Sequence, residues 1–379
     1  MTKMAGSSKK ICLIFNMAPH YREAIFKKID SDFDCDWYFG VNDSNIKSMN
    51  TSSLKRVTFL PQINYWGKNK ILYRRKGLSS LIQKDEYQNY IITGENRNIS
   101  IWLLLIRAKL FYKQKRVFVW THGWYGKESF FLKLFKKVYF KFTDGIFLYG
   151  NYAKDLMIRE GIKKDKLFVL HNSLDYEKHK TLRQEMVPST IFKDHFKNDY
   201  LNLIFIGRLT LVKRLDYLIK ALSIMKSKGV FYNLTFIGDG IEKEKLQKMV
   251  NDSNLTNQVW FYGACYDEKV NAQLIYNADA CVSPGNVGLT ALHVMTFGTP
   301  VLTHNNFPFQ MPEFEAVKEG RTGDFFKQND TNSIIRCIEN WFKEHTNRER
   351  VRQDCYSEID EYWTPQFQLN VLRESIKSV

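Results

Sequence analysis

The sequence predicts an α/β protein made of two doubly wound domains, and three observations carry that prediction. Short β-rich apolar runs alternate with helix-period segments along the chain. The alternation lapses once, in the polar stretch 185–198, and then resumes. At 379 residues, 44% hydrophobic and 15% aromatic, the chain can fill two cores of roughly 100–200 residues each. Its aromatic content is too high for a disordered protein.

In chain order, the first half shows strand signals at 11–15, 37–41, 90–93, 117–120, 145–149 and 167–170. Helical patterns fall at 21–29, from 99 and from 127. The second half repeats the alternation, with strands at 203–206, 234–237, 259–262, 280–283 and 300–303. Helices begin near 215, 243 and 289, and a helical tail begins near 333. The expected domains are 1–185 and 200–360, with the last helix, 362–379, packing back on the first. Two such domains facing each other make a cleft, and open α/β sheets bind ligands beyond the C-terminal ends of their strands.

Several classes are excluded. The apolar run 99–106 ends at Arg107, far short of the roughly 20 residues that cross a bilayer. The apolar run 11–15 after the basic N-terminus is too brief for a signal-peptide core. Six scattered cysteines without a C-x-x-C pair point to reduced core residues of a cytosolic protein and not to a zinc site. Asp34-Cys35-Asp36 has the form of a metal-binding D-x-D, yet it stands where the second strand should begin and reads as a polar strand entry.

Charge is one-sided. Residues 1–186 hold 34 Lys+Arg against 17 Asp+Glu, a surplus of 17; the totals of 56 and 40 leave 22 against 23 for the rest. Such asymmetry implies a polyanionic partner, nucleic acid or an anionic membrane surface.

The motifs that carry chemistry lie mostly in the second half. A strand runs into Gly207-Arg208-Leu209, with Lys213 just before a helix. Arg and Lys beside a helix N-terminus can hold a diphosphate, one by its fork and the other as a point charge. Phe236-Ile237-Gly238-Asp239-Gly240 is a second strand ending in a glycine turn. In the third, Val282-Ser283-Pro284-Gly285-Asn286-Val287 leads to a helix start near Leu289. There the N–H groups of Gly288, Leu289 and Thr290 suit an anion or a sugar hydroxyl.

This ordered series, with Ala278-Asp279-Ala280-Cys281-Val282-Ser283-Pro284, Phe297-Gly298-Thr299-Pro300-Val301 and Gly320-Arg321-Thr322-Gly323, resembles the retaining family-four, or group 1, glycosyltransferases. The resemblance is good over 200–326. It is looser in the first half, where it rests on Trp120-Thr121-His122-Gly123 and Val169-Leu170-His171-Asn172. It implies the GT-B fold, two Rossmann-like domains across a cleft, and transfer of a sugar from a nucleotide-sugar donor with retention at the anomeric carbon. Arg208 and Lys213 match the pair that neutralises the donor diphosphate, so no cofactor or metal is expected. His122 matches the histidine near the reacting centre; the alternative is an ordinary strand-end histidine. Gly207 and Gly238 complete the expected donor-binding set.

Two departures from the family stand out. Where its members carry two glutamates across the third loop, this chain has Gly285 and His293. His293 can offer a ring nitrogen to a ribose hydroxyl, and Asn286 can take part of the first carboxylate's role. The loop after the first strand lacks the usual glycine pair and reads Asn16-Met17-Ala18-Pro19-His20-Tyr21-Arg22. His20, Tyr21 and Arg22 are acceptor-side candidates, with a plain helix start as the alternative.

On a helix from 127, Lys133, Lys136, Lys137 and Lys141 share one face, and Phe131, Leu134, Phe135, Val138 and Phe142 another. The expectation for this helix alone is an apolar stripe on the sheet and lysines in water; the alternative is a helix on an anionic leaflet. The expected protein is therefore a cytoplasmic glycosyltransferase, peripheral on the inner membrane face. It would take a nucleotide-sugar donor and a glycan or lipid-linked acceptor in surface polysaccharide or glycolipid assembly. A noncatalytic GT-B partner subunit is the alternative. A nucleic-acid-binding protein is suggested by charge alone, without a stacking or helix-turn-helix signature.

Overall fold

A computed structural model describes residues 10–41, 46–65 and 72–378. The start of the basic N-terminal segment, residues 1–9, lies outside the described residues. The chain divides into two compact units, Met1–Asp175 with Pro365–Val379, and Tyr176–Thr364.

The first unit holds β1 (Lys10–Phe15), α1 (Glu23–Asp32), β2 (Cys35–Gly40), β3 (Val57–Leu60) and the antiparallel pair β4 (Gln62–Tyr65) and β5 (Leu72–Arg75). It continues with β6 (Tyr87–Thr93), α2 (Ile99–Phe111), β7 (Arg116–Thr121), α3 (Phe130–Lys141), β8 (Gly145–Leu148), α4 (Asn151–Arg159) and β9 (Leu167–Val169). Seven strands form a parallel sheet in the order β3-β2-β1-β6-β7-β8-β9. Strand alternation sends Cys12 and Ile14 to one face, with Leu104 and Leu105 of α2 and Tyr139 and Phe140 of α3. Leu13 and Phe15 go to the other, with Phe26 and Ile29 of α1.

The second unit runs α5 (Tyr176–Glu185), α6 (Ile191–Phe196), β10 (Asn202–Ile206), α7 (Leu215–Ser227), β11 (Asn233–Ile237), α8 (Lys243–Asp252), β12 (Val259–Gly263) and α9 (Glu268–Asn277). Then come β13 (Ala280–Ser283), α10 (Leu289–Thr296), β14 (Val301–His304), β15 (Gly323–Phe326), α11 (Thr331–Glu344) and α12 (Arg348–Tyr362). Its six-stranded sheet has the order β12-β11-β10-β13-β14-β15. The polar stretch 185–198 lies within this unit and carries α6. The last helix, α13 (Pro365–Ser378), belongs to the first unit. There the buried Gln368 donates to the His171 carbonyl (3.0 Å) and accepts from Ser173 Oγ (2.6 Å), while Arg373 pairs with Asp32.

Helix α3 reverses the expectation for its faces. Phe130, Phe131, Leu134, Phe135 and Val138 are exposed. Lys136 turns inward instead: its Nζ donates to the Gly123 carbonyl and to Glu128, both at 2.9 Å, while Lys141 stays exposed. Lys133 and Lys137 share the carboxylate of Glu160 at 2.7 and 2.8 Å. The face that α3 buries is instead the one that carries Tyr139 and Phe140, which join the core beside α2, and the stem of Lys136 packs along it with its head on Glu128. All six cysteines are free.

Candidate functional site

In the second sheet β10 sits between β11 and β13, so the winding direction changes at the β10/β13 boundary. Loops leaving the C-terminal ends of two such strands diverge and leave a crevice. The loops here are 207–214 and 284–288, which together hold most of the expected donor-binding residues.

The first loop is shaped by close backbone approach. Gly207 N–H donates to the Ile237 carbonyl at 2.9 Å. A β-carbon on Gly238 would fall 1.9 Å from the Gly207 oxygen, and Gly238 has φ +146°. Only glycine fits there. The turn Leu211–Lys213 then aims Lys213 at the second loop, where its Nζ donates to the carbonyl of Asn286 (2.6 Å) and to its Oδ1 (3.0 Å). Burial pulls the Lys213 ammonium down to about 8, the buried Glu313 carboxylate opposes that pull, and the nearby Arg208 charge adds to it.

Arg208 is exposed, and among the described residues no hydrogen bond or ion pair engages its guanidinium. The other arginine of this loop is committed: Arg214 approaches Asp216 at 3.5 Å and lies 4.4 Å from the Tyr217 ring centre. The pair expected to grip a diphosphate therefore consists of one uncommitted guanidinium and one ammonium held by neutral amide oxygens.

The second loop is fixed by a residue the motifs did not reveal. Buried Gln310 accepts from Val287 N–H and donates to Thr303 Oγ1 and the His304 carbonyl, each at 2.9 Å. Thr290 Oγ1 donates to the Ile206 carbonyl at 3.0 Å, tying the start of α10 to the end of β10. Gly288 is the N-cap of α10, with φ 57° and no side-chain cap. The first-turn N–H groups, Leu289 and Thr290 among them, have no intrahelical acceptor and carry the positive end of the helix dipole.

His293 points from α10 to α9, its Nε2 2.6 Å from Glu268 Oε1. His179 of α5 approaches the same oxygen at 3.4 Å, and the two histidine rings stack at 5.5 Å. Burial pushes the Glu268 carboxyl up, but the His293 hydrogen bond and the histidine charges outweigh it and leave the group below the usual range. The nitrogen expected to face a ribose is thus engaged by a carboxylate. Among the described residues, these three, brought from three helices, form the group that could hold a metal ion, with ligand atoms within 4.8 Å of one another.

In the first unit the winding changes direction beside β1, between β2 and β6. The loop after β1 places His20 at the surface, with Nδ1 3.1 Å from the Lys47 carbonyl, and Tyr21 edge-on to it at 5.8 Å. Arg22 turns inward. It donates to the Tyr149 hydroxyl, and its guanidinium lies 5.3 Å from the Trp120 ring centre and 5.8 Å from that of Phe15. The ring of His122, after β7, lies tilted against that of Tyr149 with centres 4.6 Å apart. Burial, then the charges of Arg22 and Lys136, hold its imidazole down to about 4. Arg22 and His122 thus share one aromatic pocket, with Tyr149 as the bridge that sequence reading did not mark.

Residues 188–357 match the family model described as glycosyl transferases group 1. The second unit is a group 1 glycosyl transferase domain. Among relatives of this chain, an uncharacterized 41.2 kDa protein in the cps region of Klebsiella pneumoniae is 24% identical over 247 residues, 62% of this chain and 64% of its own length. An uncharacterized glycosyltransferase of Methanocaldococcus jannaschii is 26% identical over 264 residues, 65% of this chain and 64% of its own. The matches span less than two thirds of either relative. Among solved structures, Anabaena HepE in complex with UDP superposes with a TM-score of 0.72 at 16% identity, over 98% of this chain and 100% of that one. That likeness gives the fold, which is GT-B.

Proposed function

We propose that this protein is a retaining glycosyltransferase that moves a sugar from a nucleotide-sugar donor to a glycan or lipid-linked acceptor in surface polysaccharide or glycolipid assembly, on the cytoplasmic side of a membrane. One observation carries the reading. At the winding reversal of the second unit, an uncommitted Arg208 and the Lys213 ammonium flank the start of α10, and a diphosphate is proposed to lie there against them and the N–H groups of Gly288, Leu289 and Thr290.

The chemistry follows from charge. As the glycosidic bond breaks, negative charge grows on the departing diphosphate, and two cations with a helix dipole stabilise it where it develops. They supply the electrostatic help without a metal. The acceptor hydroxyl attacks on the face the diphosphate leaves and gives up its proton to the departing phosphate, so no protein nucleophile is required. His122 is proposed beside the reacting sugar, and His20, Tyr21 and Arg22 on the acceptor side.

A relative in a cps region and a same-fold protein solved with UDP support the polysaccharide setting and make UDP-sugars the first donors to assay. The test is turnover of purified protein across a nucleotide-sugar panel, preceded by a thermal-shift screen. Arg208→Ala and Lys213→Ala should each lower kcat/KM by about tenfold or more; unchanged turnover removes them from the mechanism. The bare Gly285 and the His293–Glu268 pair favour one second reading, a donor-binding partner subunit. Nucleotide binding without hydrolysis or transfer would establish it.

A further inference from the structure

We propose that the outward faces of α3 and α2 form a seat for an anionic phospholipid bilayer, on which the protein lies in the plane of the interface. This goes beyond the catalytic reading, because it rests on a different surface.

The faces of α3 carry the argument. Phe130 is 75% exposed and Phe131 80%, at the helix's first turn, and they are followed by Leu134, Phe135 and Val138 on the solvent side. Side chains of this size are among the costliest to leave in water, and a contiguous apolar stripe marks an interaction site. The stripe is fixed outward, because the opposite face is pinned by Lys133 and Lys137 on Glu160 and by Lys136 on Glu128. Helix α2 lies against α3 through Trp102, whose ring is 5.1 Å from those of Phe135 and Tyr139. Its own exposed face adds Leu103, Leu110 and Phe111, the last 72% exposed.

Charge selects the occupant. Neither α2 nor α3 contains an acidic residue. Lys113, Lys127 and Lys141 are exposed at their ends. Residues 1–186 carry the whole surplus, 34 basic against 17 acidic. An apolar stripe edged by lysines and free of carboxylates complements anionic headgroups over acyl chains. No helix among the described residues is long and apolar enough to span the membrane, so seating in the interface is the mode the surface supports. A protein partner would be expected to meet some carboxylates or hydrogen-bonding groups along such a face.

The experiment is co-sedimentation of the full-length chain with vesicles of phosphatidylcholine alone or with phosphatidylglycerol, at 150 mM and 500 mM salt. The expected result is binding to the anionic vesicles that weakens, but persists, at high salt. Phe130→Ser/Phe131→Ser should lower vesicle affinity at least tenfold with an unchanged melting temperature. Lys127→Gln/Lys141→Gln should reduce the preference for anionic over neutral lipid. Absence of vesicle binding overturns the proposal. So does binding that the phenylalanine pair does not alter, which would mean charge alone. Self-association in light scattering that the phenylalanine substitutions abolish, with vesicle binding unaffected, would assign the face to a second copy of the chain instead.

Discussion

The amide of Gly285 donates to the carbonyl of Lys213 at 2.9 Å, and a β-carbon at 285 would fall 2.0 Å from the Val212 carbonyl oxygen. The loops 207–214 and 284–288 are closed on each other at a point where no side chain fits. This gives a physical reason for glycine at a position where the family's members carry a carboxylate. Gly285→Glu is therefore expected to wedge the loops apart, lower stability by about 1–3 kcal/mol, as overpacking does, and reduce donor binding. Melting temperature and nucleotide affinity check it. A Glu variant with raised turnover would show that the loop opens to accept the side chain.

Lys213 sets a pH limit. Its burial brings the ammonium to about 8, against an ordinary value near 10.4. It is charged below that point and neutral above it, so affinity for a diphosphate should fall as pH rises through about 8. The Glu313 carboxylate favours the charged form, so Glu313→Gln should move that limb to lower pH while leaving affinity at pH 6 near the original. Nucleotide titrations from pH 6 to 9.5 read both effects. A limb that stays in place in the Gln variant would show that Glu313 does not act on Lys213.

His122 links stability to acid. Its folded value of about 4 lies below the unfolded value near 6.5. As pH falls the unfolded chain takes up the proton first, so stability present above about 6.5 is lost progressively toward 4. Between pH 7 and 5 this single group removes on the order of 2 kcal/mol. Urea unfolding at the two pH values should show that loss, and His122→Gln should shrink it.

Gln368 bridges α13 to the segment after β9 with both ends of its amide, at 1% exposure. Gln368→Ala leaves the His171 carbonyl and the Ser173 hydroxyl without that partner, which should cost about 1–3 kcal/mol. Thermal denaturation measures it, and an unchanged melting temperature would mean that the other contacts of α13, Leu369, Leu372 and the Arg373–Asp32 pair among them, suffice to hold it.

The strand-and-loop frame was legible because parallel strands buried on both faces are apolar runs and glycines mark their ends. The strands at 11–15, 203–206 and 280–283 lie inside β1, β10 and β13. Strands β3 and β15 were not marked. Val57–Leu60 is mostly exposed, and Gly323–Phe326 starts on a glycine and an aspartate. Periodicity found the apolar stripe of α3 but not which face is buried, since that depends on where Trp102 and Trp124 meet Tyr139 and Phe140. Gln310 and Glu313 were invisible for a similar reason. A buried amide and a buried carboxylate in a 3-10 segment have no spacing signature, and only the fold brings them to the loop that carries Asn286. Tyr149 and Glu268 share that character.

The return of α13 has a consequence for biogenesis. Arg373 closes on Asp32 across 341 positions of chain, so the unit begun by the first strand is finished by the final helix. A nascent polypeptide must therefore hold an incomplete sheet layer, with the surface that will receive Leu369 and Leu372 still open to water, until α13 has emerged from the ribosome. Removal of α13 would leave the second unit whole and the first one unsealed.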